Sequence, residues 1–247
     1  MGWTIINKLS FMRHFLLLCL YLLAGCATKY IVPANRFITP ETQGGAFRGQ
    51  FEFQQTSASQ LTVDTANGTI DDGVLYTDVS RAGFLYSNSF FEQFDLFWSH
   101  TGSANSLLGG KLQVIGGSRI AKSAGHKLSV ALAFGANEHE TEDESVEFEL
   151  SGREFLVIYG YRINESVLPY TSLSYATYEF DGTIQQSGPL NGLRPQYTTT
   201  SSALNGGVEF SIDAFMAKFE ATYQQLATND TKDRSAFRFG YALGFSW

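Results

Sequence analysis

Residues 235–247 read SAFRFGYALGFSW. Phe237, Phe239, Tyr241, Leu243, Phe245 and Trp247 take every second position, and Arg238, Gly240, Ala242, Gly244 and Ser246 fill the positions between. A period of two is a strand with one apolar face and one small or polar face. The apolar face runs unbroken to an aromatic final residue.

Working back from that strand, the same alternation recurs. Phe47, Gly49, Phe51 and Phe53 oppose Arg48, Gln50, Glu52 and Gln54. A second strand is predicted near 74–87, with Phe84 and Tyr86 on one face; Asp78 and Ser80 break the parity and predict a bulge or shifted start. After a tight turn at Ser87, Asn88 and Ser89, the residues Phe90, Phe94, Leu96 and Trp98 share a face opposite Gln93 and Asp95. Leu108, Leu112 and Val114 oppose Lys111, Gln113 and Arg119, and Leu128, Val130, Leu132 and Phe134 alternate with small residues that fit a narrow interior. Residues 148–162 form a strand of undecided facing, because Phe155, Val157, Tyr159 and Tyr161 compete with Leu156 and Ile158. Further strands are expected at about 167–181, 204–212 and 215–224. The connections at 57–73, 101–106, 137–147, 182–198 and 229–234 are longer, and those near 87–89, 121–125, 163–166 and 213–214 are shorter.

The terminal strand resembles the C-terminal strand of bacterial outer-membrane β-barrels, which ends in an aromatic residue read by their assembly machinery. The resemblance implies an all-β, antiparallel, up-and-down transmembrane barrel of about ten strands, with eight or twelve as the neighbouring even numbers. It also implies two partners: outer-membrane lipid, and the barrel assembly machinery through the strand ending at Trp247. Alternating short and long connections agree with short periplasmic turns and longer outer loops. Aromatic strand ends such as Trp98, Tyr223 and Trp247 suit interfacial girdles. The competing architecture is a soluble β-sandwich, in which the apolar face is buried and the polar face meets water.

Composition agrees with a β-protein. Aromatic residues make up 15% of the 247, with 24 glycines, so the chain is rich in strand and turn formers. The net charge of -7 becomes -9 once residues 1–25, with Lys8 and Arg13, are removed. A chain this acidic has no electrostatic attraction to nucleic acid. No cofactor or metal motif is present.

The N-terminus carries an export signal. Lys8 and Arg13 precede an apolar run from Phe15 to Leu23, the order of a secretory signal peptide. Leu23, Ala24, Gly25 and Cys26 then resemble the bacterial lipobox, which implies that Cys26 becomes the lipidated first residue of the mature chain. Ala27 follows, not the Asp that in such proteins favours retention at the inner membrane. Cys19 falls in the signal, so no internal disulfide is available. Residues 26–43 read as a lipidated periplasmic tether, with Pro33 and Pro40 and a stretched reach of about 55 Å. The division is therefore 1–25 signal, 26–43 tether and 44–247 barrel. An even strand number puts both ends of the barrel, and with them the lipid, on the periplasmic side.

Candidate functional residues follow from the register. Arg48, Glu52, Arg81, Asp95, Lys111, Arg119, Glu209, Lys218, Glu220 and Arg238 fall on the polar, lumenal side. Charges of both signs in a narrow interior pair with one another. They make either a salt-bridged structural interior or the lining of a narrow solute channel. Glu138, Glu140, Glu142, Asp143, Glu144 and Glu147 form an acidic loop, a solvated stretch or a site for a hard cation. His100, with Ser99, Ser103 and Asn105 nearby, lies at a predicted outer rim and is the one candidate for hydrolytic chemistry. The expected function is a structural or surface-interaction barrel acting through its outer loops or its tether on a partner protein. A narrow channel is the alternative, and a lipid or peptide hydrolase the third.

Overall fold

The computed structural model describes residues 30–62, 75–102, 106–140, 146–184, 192, 194, 196–228 and 231–247. Ten long strands form the wall: β2 (Arg48–Thr62), β3 (Leu75–Phe91), β4 (Phe94–Thr101), β5 (Leu107–Ile115), β6 (Gly125–Glu140), β7 (Val146–Arg162), β8 (Val167–Ile184), β9 (Gln196–Ile212), β10 (Phe215–Thr228) and β11 (Thr231–Ser246). A short strand, β1 (Tyr30–Pro33), precedes them. Each wall strand pairs antiparallel with the next. The sheet closes where β11 meets β2, from Tyr241↔Gln55 to Ser246↔Gln50. The chain is thus an all-β, antiparallel, up-and-down barrel.

Alternation decides which way each side chain points. On β11, Phe237, Phe239, Tyr241, Leu243 and Phe245 face outward and remain exposed, while Arg238 and Ala242 are buried inside. On β10 the exposed Phe215, Phe219 and Tyr223 alternate with the buried Met216, Lys218, Glu220, Thr222 and Gln224. β7 resolves the same way: Phe155, Tyr159 and Tyr161 point out, and Leu156 and Ile158 point in. The result inverts a soluble protein. Its outside is a band of large apolar side chains and its inside holds buried charges, the arrangement of a barrel solvated by lipid.

The strands outrun that band at one end. Above Phe53 on β2 the outward positions become Gln55 and Ser57, and above Phe84 on β3 they become Ala82, Ser80 and Asp78, yet the ladder runs on unbroken from Arg48↔Ser89 to Thr62↔Leu75. No bulge occurs at 78–80. Those residues only continue the outward face past the apolar zone. Register shifts fall instead at Ser89/Phe91, Gln113/Ile115 and Leu226/Thr228. The turn expected at 87–89 lies at Glu92 and Gln93, because the β3–β4 pairing continues to Phe91↔Phe94. At this end the connections are 63–74, 102–106, 141–145, 185–195 and 229–230, and at the other they are 92–93, 116–124, 163–166 and 213–214. The last hairpin loop is shorter than its sequence suggests, since Thr231 already belongs to β11.

The largest departure from expectation is the segment before β2. The sequence reads as a tether here, but residues 31–43 run inside the barrel, all buried except the half-buried Arg36. β1 pairs with the upper part of β2, Tyr30↔Leu61 to Pro33↔Ala58, where β11 no longer does. From there the chain descends through the lumen to Gly44. Two apolar patches on the inner wall receive it: Val32 packs with Leu150, Ala176, Tyr178, Phe180 and Leu226, and Ile38 with Leu85, Phe97, Leu156, Ile158 and Tyr170 among others. Removing a Val or Ile side chain from water contributes about 1.5–3 kcal/mol. Pattern reading failed here because Pro33 and Pro40 interrupt the alternation, and a segment buried on every side shows no period.

Candidate functional site

The lumen is built by wall side chains that grip this threaded segment, described here from the short-turn end upward. Gly44, at a φ of +85°, passes over Ser118 so closely that a Cβ would lie 2.4 Å from the Ser118 Cβ. Arg119, on a single 3₁₀ turn (Arg119–Ala121), donates its backbone N–H to the Thr42 carbonyl at 2.9 Å, and the Thr42 hydroxyl donates to the Glu92 carbonyl at 2.6 Å. The Gln43 N–H donates to Asp95 at 3.1 Å, and the Thr42 N–H to Gln113 Oε1 at 2.8 Å.

One turn of chain higher, Glu41 is the segment's acidic anchor. Arg162 on β7 grips both carboxylate oxygens, Nε to Oε1 at 2.6 Å and Nη2 to Oε2 at 2.5 Å, and Lys127 on β6 lies 3.4 Å away. All three side chains are at most 2% exposed. The Lys111 ammonium donates to the carbonyls of Glu41 and Thr39 at 2.5 and 3.2 Å and pairs with Asp95 at 3.2 Å. Ser129 donates to the Pro40 carbonyl.

At the middle, Phe37 has a φ of +55°, a conformation that costs a non-glycine residue about 1–3 kcal/mol. Wall groups hold it there: Lys218 donates to its carbonyl at 2.8 Å, and its N–H donates to Glu220 Oε2 at 3.1 Å. The neighbouring Arg36 N–H donates to the other Glu220 oxygen at 2.8 Å. The Arg36 side chain is the basic anchor, meeting Glu154 at 2.5 Å and the Tyr178 hydroxyl at 3.0 Å. Asn35 donates to Thr222 and to the Glu220 carbonyl. The wall makes room at Gly240, where a Cβ would stand 2.6 Å from Asn35 Oδ1 and 2.7 Å from Phe37 Cζ, and at Gly160, 2.9 Å from Pro40 Cγ.

Carboxylate and cation pairs tie the wall itself together. Lys218 bridges Glu52 at 2.5 Å and Glu209 at 3.7 Å, and Glu209 also receives Arg119 at 2.5 Å and Arg162 at 3.3 Å. Burial opposes the charge on Arg119 in its turn; Glu209 beside it outweighs that, so the guanidinium is held charged well above its ordinary range. Such pairs in low dielectric are costly to break because removal of one partner strands the other.

The sequence-derived lumenal residues are thus distributed as follows. Glu52, Asp95, Lys111, Glu209, Lys218, Glu220 and Arg238 are buried inside. Arg238 reaches Ser59 and Asp78 where β11 parts from β2, and Arg81 donates to Gln60 at 3.0 Å. Arg119 enters from a turn, not from a strand face. Arg48 is exposed at the short-turn mouth, where it lines a hollow of about 380 Å³ with Arg119, Lys122, Arg162 and Glu165. Lys127, Glu154, Arg162, Arg36 and Glu41 belong to the network as well. The first three sit at inward positions, Lys127 on the face of β6 that carries Ser129, Ala131 and Ala133, and Glu154 and Arg162 on the face of β7 that carries Leu156 and Ile158; the last two were hidden in the supposed tether.

The acidic stretch is largely strand. Glu138 and Glu140 lie on β6, paired with Glu149 and Glu147 on β7, while Glu142, Asp143 and Glu144 lie outside the described residues. No three ligand-type side chains gather to hold a metal among the described residues. His100 bonds Ser106, Nδ1 to Oγ at 2.9 Å, and stacks at a tilt on Phe84. Ser103 and Asn105 lie outside the described residues.

The fold and the site define a closed β-barrel with an apolar outer band and an interior occupied by its own N-terminal segment. No protein-family model matches the chain, and no curated protein matches it. Among solved structures it is similar to Ail, the attachment invasion locus protein of Yersinia pestis, at 13% identity and a TM-score of 0.38, covering 82% of this chain and 99% of that one. It is similar also to OmpT of Vibrio cholerae (12%, TM-score 0.20, covering 81% and 96%) and to the outer-membrane channel DcaP of Acinetobacter baumannii (8%, TM-score 0.19, covering 90% and 99%).

Proposed function

We propose that this protein is an outer-membrane β-barrel, lipidated at Cys26, that serves as a structural or surface-interaction protein and does not conduct solutes. The observation that carries the reading is the threaded segment. Its charged side chains, Arg36 and Glu41, meet wall partners of opposite sign, Glu154 and Arg162, and its backbone takes hydrogen bonds from Lys111 and Lys218. A solute path down the lumen would have to expel this segment and strand those charges.

The interaction surface is the part of the wall that rises past the apolar band. On β7, β8 and β9 its outward positions are Glu149, Ser151, Arg153, Thr177, Glu179, Asp181, Gln196 and Thr198, polar groups on a rigid sheet. Arg153 pairs with Glu179 at 2.6 Å and Gln196 with Asp181 at 2.9 Å, so the platform is ordered by its own contacts. Placing that end outside the cell follows the habit of such barrels, whose longer loops face outward. The strand ending at Trp247 supports assembly by the outer-membrane machinery, and the lipobox supports acylation of Cys26.

Planar-bilayer recording of the purified full chain tests the reading: no single-channel steps are expected, and ohmic steps would overturn it in favour of a channel. Mass spectrometry of the mature N-terminal peptide tests the acylation, which an unmodified Cys26 would exclude.

A further inference from the structure

The threaded segment adds an eleventh passage to a ten-strand wall. With ten strands alone, Arg48 and Ser246 lie at the same end, and a tether attached to β2 would hang there. The passage reverses this for the chain before it. Gly44 sits at the short-turn end, beside Ser118 and Ser89, whereas Tyr30 pairs with Leu61 at the long-loop end. Leu61 is eight residues past Phe53, the last outward aromatic on β2. At ~3.3 Å per residue along a strand tilted by about 45°, the exit stands roughly 19 Å above the apolar band, low enough for a chain four residues longer and its acyl group to descend to the leaflet on that side.

Cys26 is four residues from Tyr30, so its Cα lies no more than about 14 Å from that exit. The hydrocarbon core of a bilayer is about 30 Å thick. A residue tied that closely to the long-loop end cannot return to the leaflet at the short-turn end. Release of the segment is opposed by two ion pairs, Arg36 with Glu154 near its middle and Glu41 with Arg162 toward its lower end.

We propose that the barrel displays its own N-terminus on the face of the long loops, so that a lipid on Cys26 enters the outer leaflet and the protein is anchored from the cell surface by a chain threaded through its lumen. This rests on the reading that the long-loop end faces outward. It replaces a periplasmic anchor with an exposed acylated terminus, a feature available to a surface partner.

The test uses the full chain in intact cells and a membrane-impermeant maleimide. Three variants report position: Lys29→Cys for the N-terminal segment, Glu179→Cys for the long-loop end and Asp213→Cys for a short turn, with the unsubstituted chain as reference. Lys29→Cys is expected to label to the same extent before and after permeabilisation, as is Glu179→Cys, while Asp213→Cys labels only afterwards. Labelling of Glu179→Cys in intact cells with none at Lys29→Cys, or with Lys29→Cys labelled only on permeabilisation, would overturn the threading. Asp213→Cys labelling in intact cells while Glu179→Cys does not would overturn the outward orientation on which the proposal rests.

Discussion

Arg162 on the barrel wall grips Glu41 of the threaded segment through two parallel hydrogen bonds of 2.6 and 2.5 Å, in a site where both side chains are almost wholly buried. The pair is what fixes the lower half of the segment. Arg162→Ala strands Glu41 beside Lys127 and weakens the hold on Glu209. Losing one partner of a buried pair costs about 3–5 kcal/mol. The folded band of the purified variant on a cold denaturing gel should therefore convert to the unfolded mobility at a distinctly lower temperature than the parent. An unchanged conversion temperature would show that the pair does not hold the segment.

Lys218 donates to Glu52 and to the Phe37 carbonyl and forms an ion pair with Glu209 at 3.7 Å. Lys218→Met leaves carboxylates facing one another and should impair folding more than the double variant Lys218→Met/Glu52→Gln, which removes one of the stranded charges. Urea titration of the two proteins in detergent measures the difference. Equal stability of the single and double variants would count against a buried charge network.

Gly240 is a spacing residue. A side chain there runs into Asn35 and Phe37, which cross it in contact. Gly240→Val is expected to push the segment from its seat while leaving the outward face of β11 intact. Amides of residues 31–38 should then exchange with deuterium faster than in the parent, and bilayer recordings of this variant should show transient openings that the parent lacks. Unaltered exchange would mean that the segment does not depend on this gap.

The outer band makes a separate prediction. Phe219 sits midway between Phe215 and Tyr223 on the lipid face of β10, and Gln225 lies past the band on the same face. An arginine at the bilayer midplane of a barrel costs about 2–4 kcal/mol, falling to about 0–1 near the interface. Phe219→Arg should destabilise the barrel in lipid vesicles accordingly, and Gln225→Arg should be nearly neutral. Equal effects from the two would remove the lipid from this surface.

Much of the wall was legible in the sequence. Where a strand crosses the apolar band, its two faces meet different surroundings, so Phe237 to Trp247, Phe210 with Val208, and Leu128 to Phe134 announce both the strand and its facing. Above the band both faces are polar, and the signal fades although the backbone ladder continues; this is why residues 57–62 and 196–198 read as loop and fold as strand. The charged side chains were legible as inward positions, but not their partners. Pairing joins residues as distant as Glu41 and Arg162, and depends on which strands closure brings face to face.

By itself, then, the sequence determined an all-β chain with an apolar outer face and a charged interior, because local alternation is a property of neighbouring residues. Only the tertiary structure decided what fills that interior. Residues 30–43 carry no period, two prolines and few charges, and nothing local distinguishes a free tether from a buried plug. Their place follows from complementarity with the wall: Glu154 for Arg36, Arg162 for Glu41, Lys111 and Lys218 for backbone carbonyls, and Gly160 and Gly240 for room. That complementarity exists only once the ten strands have closed, and it carries the chain from Gly44 up through the lumen to Tyr30, at the end of the barrel opposite the start of β2.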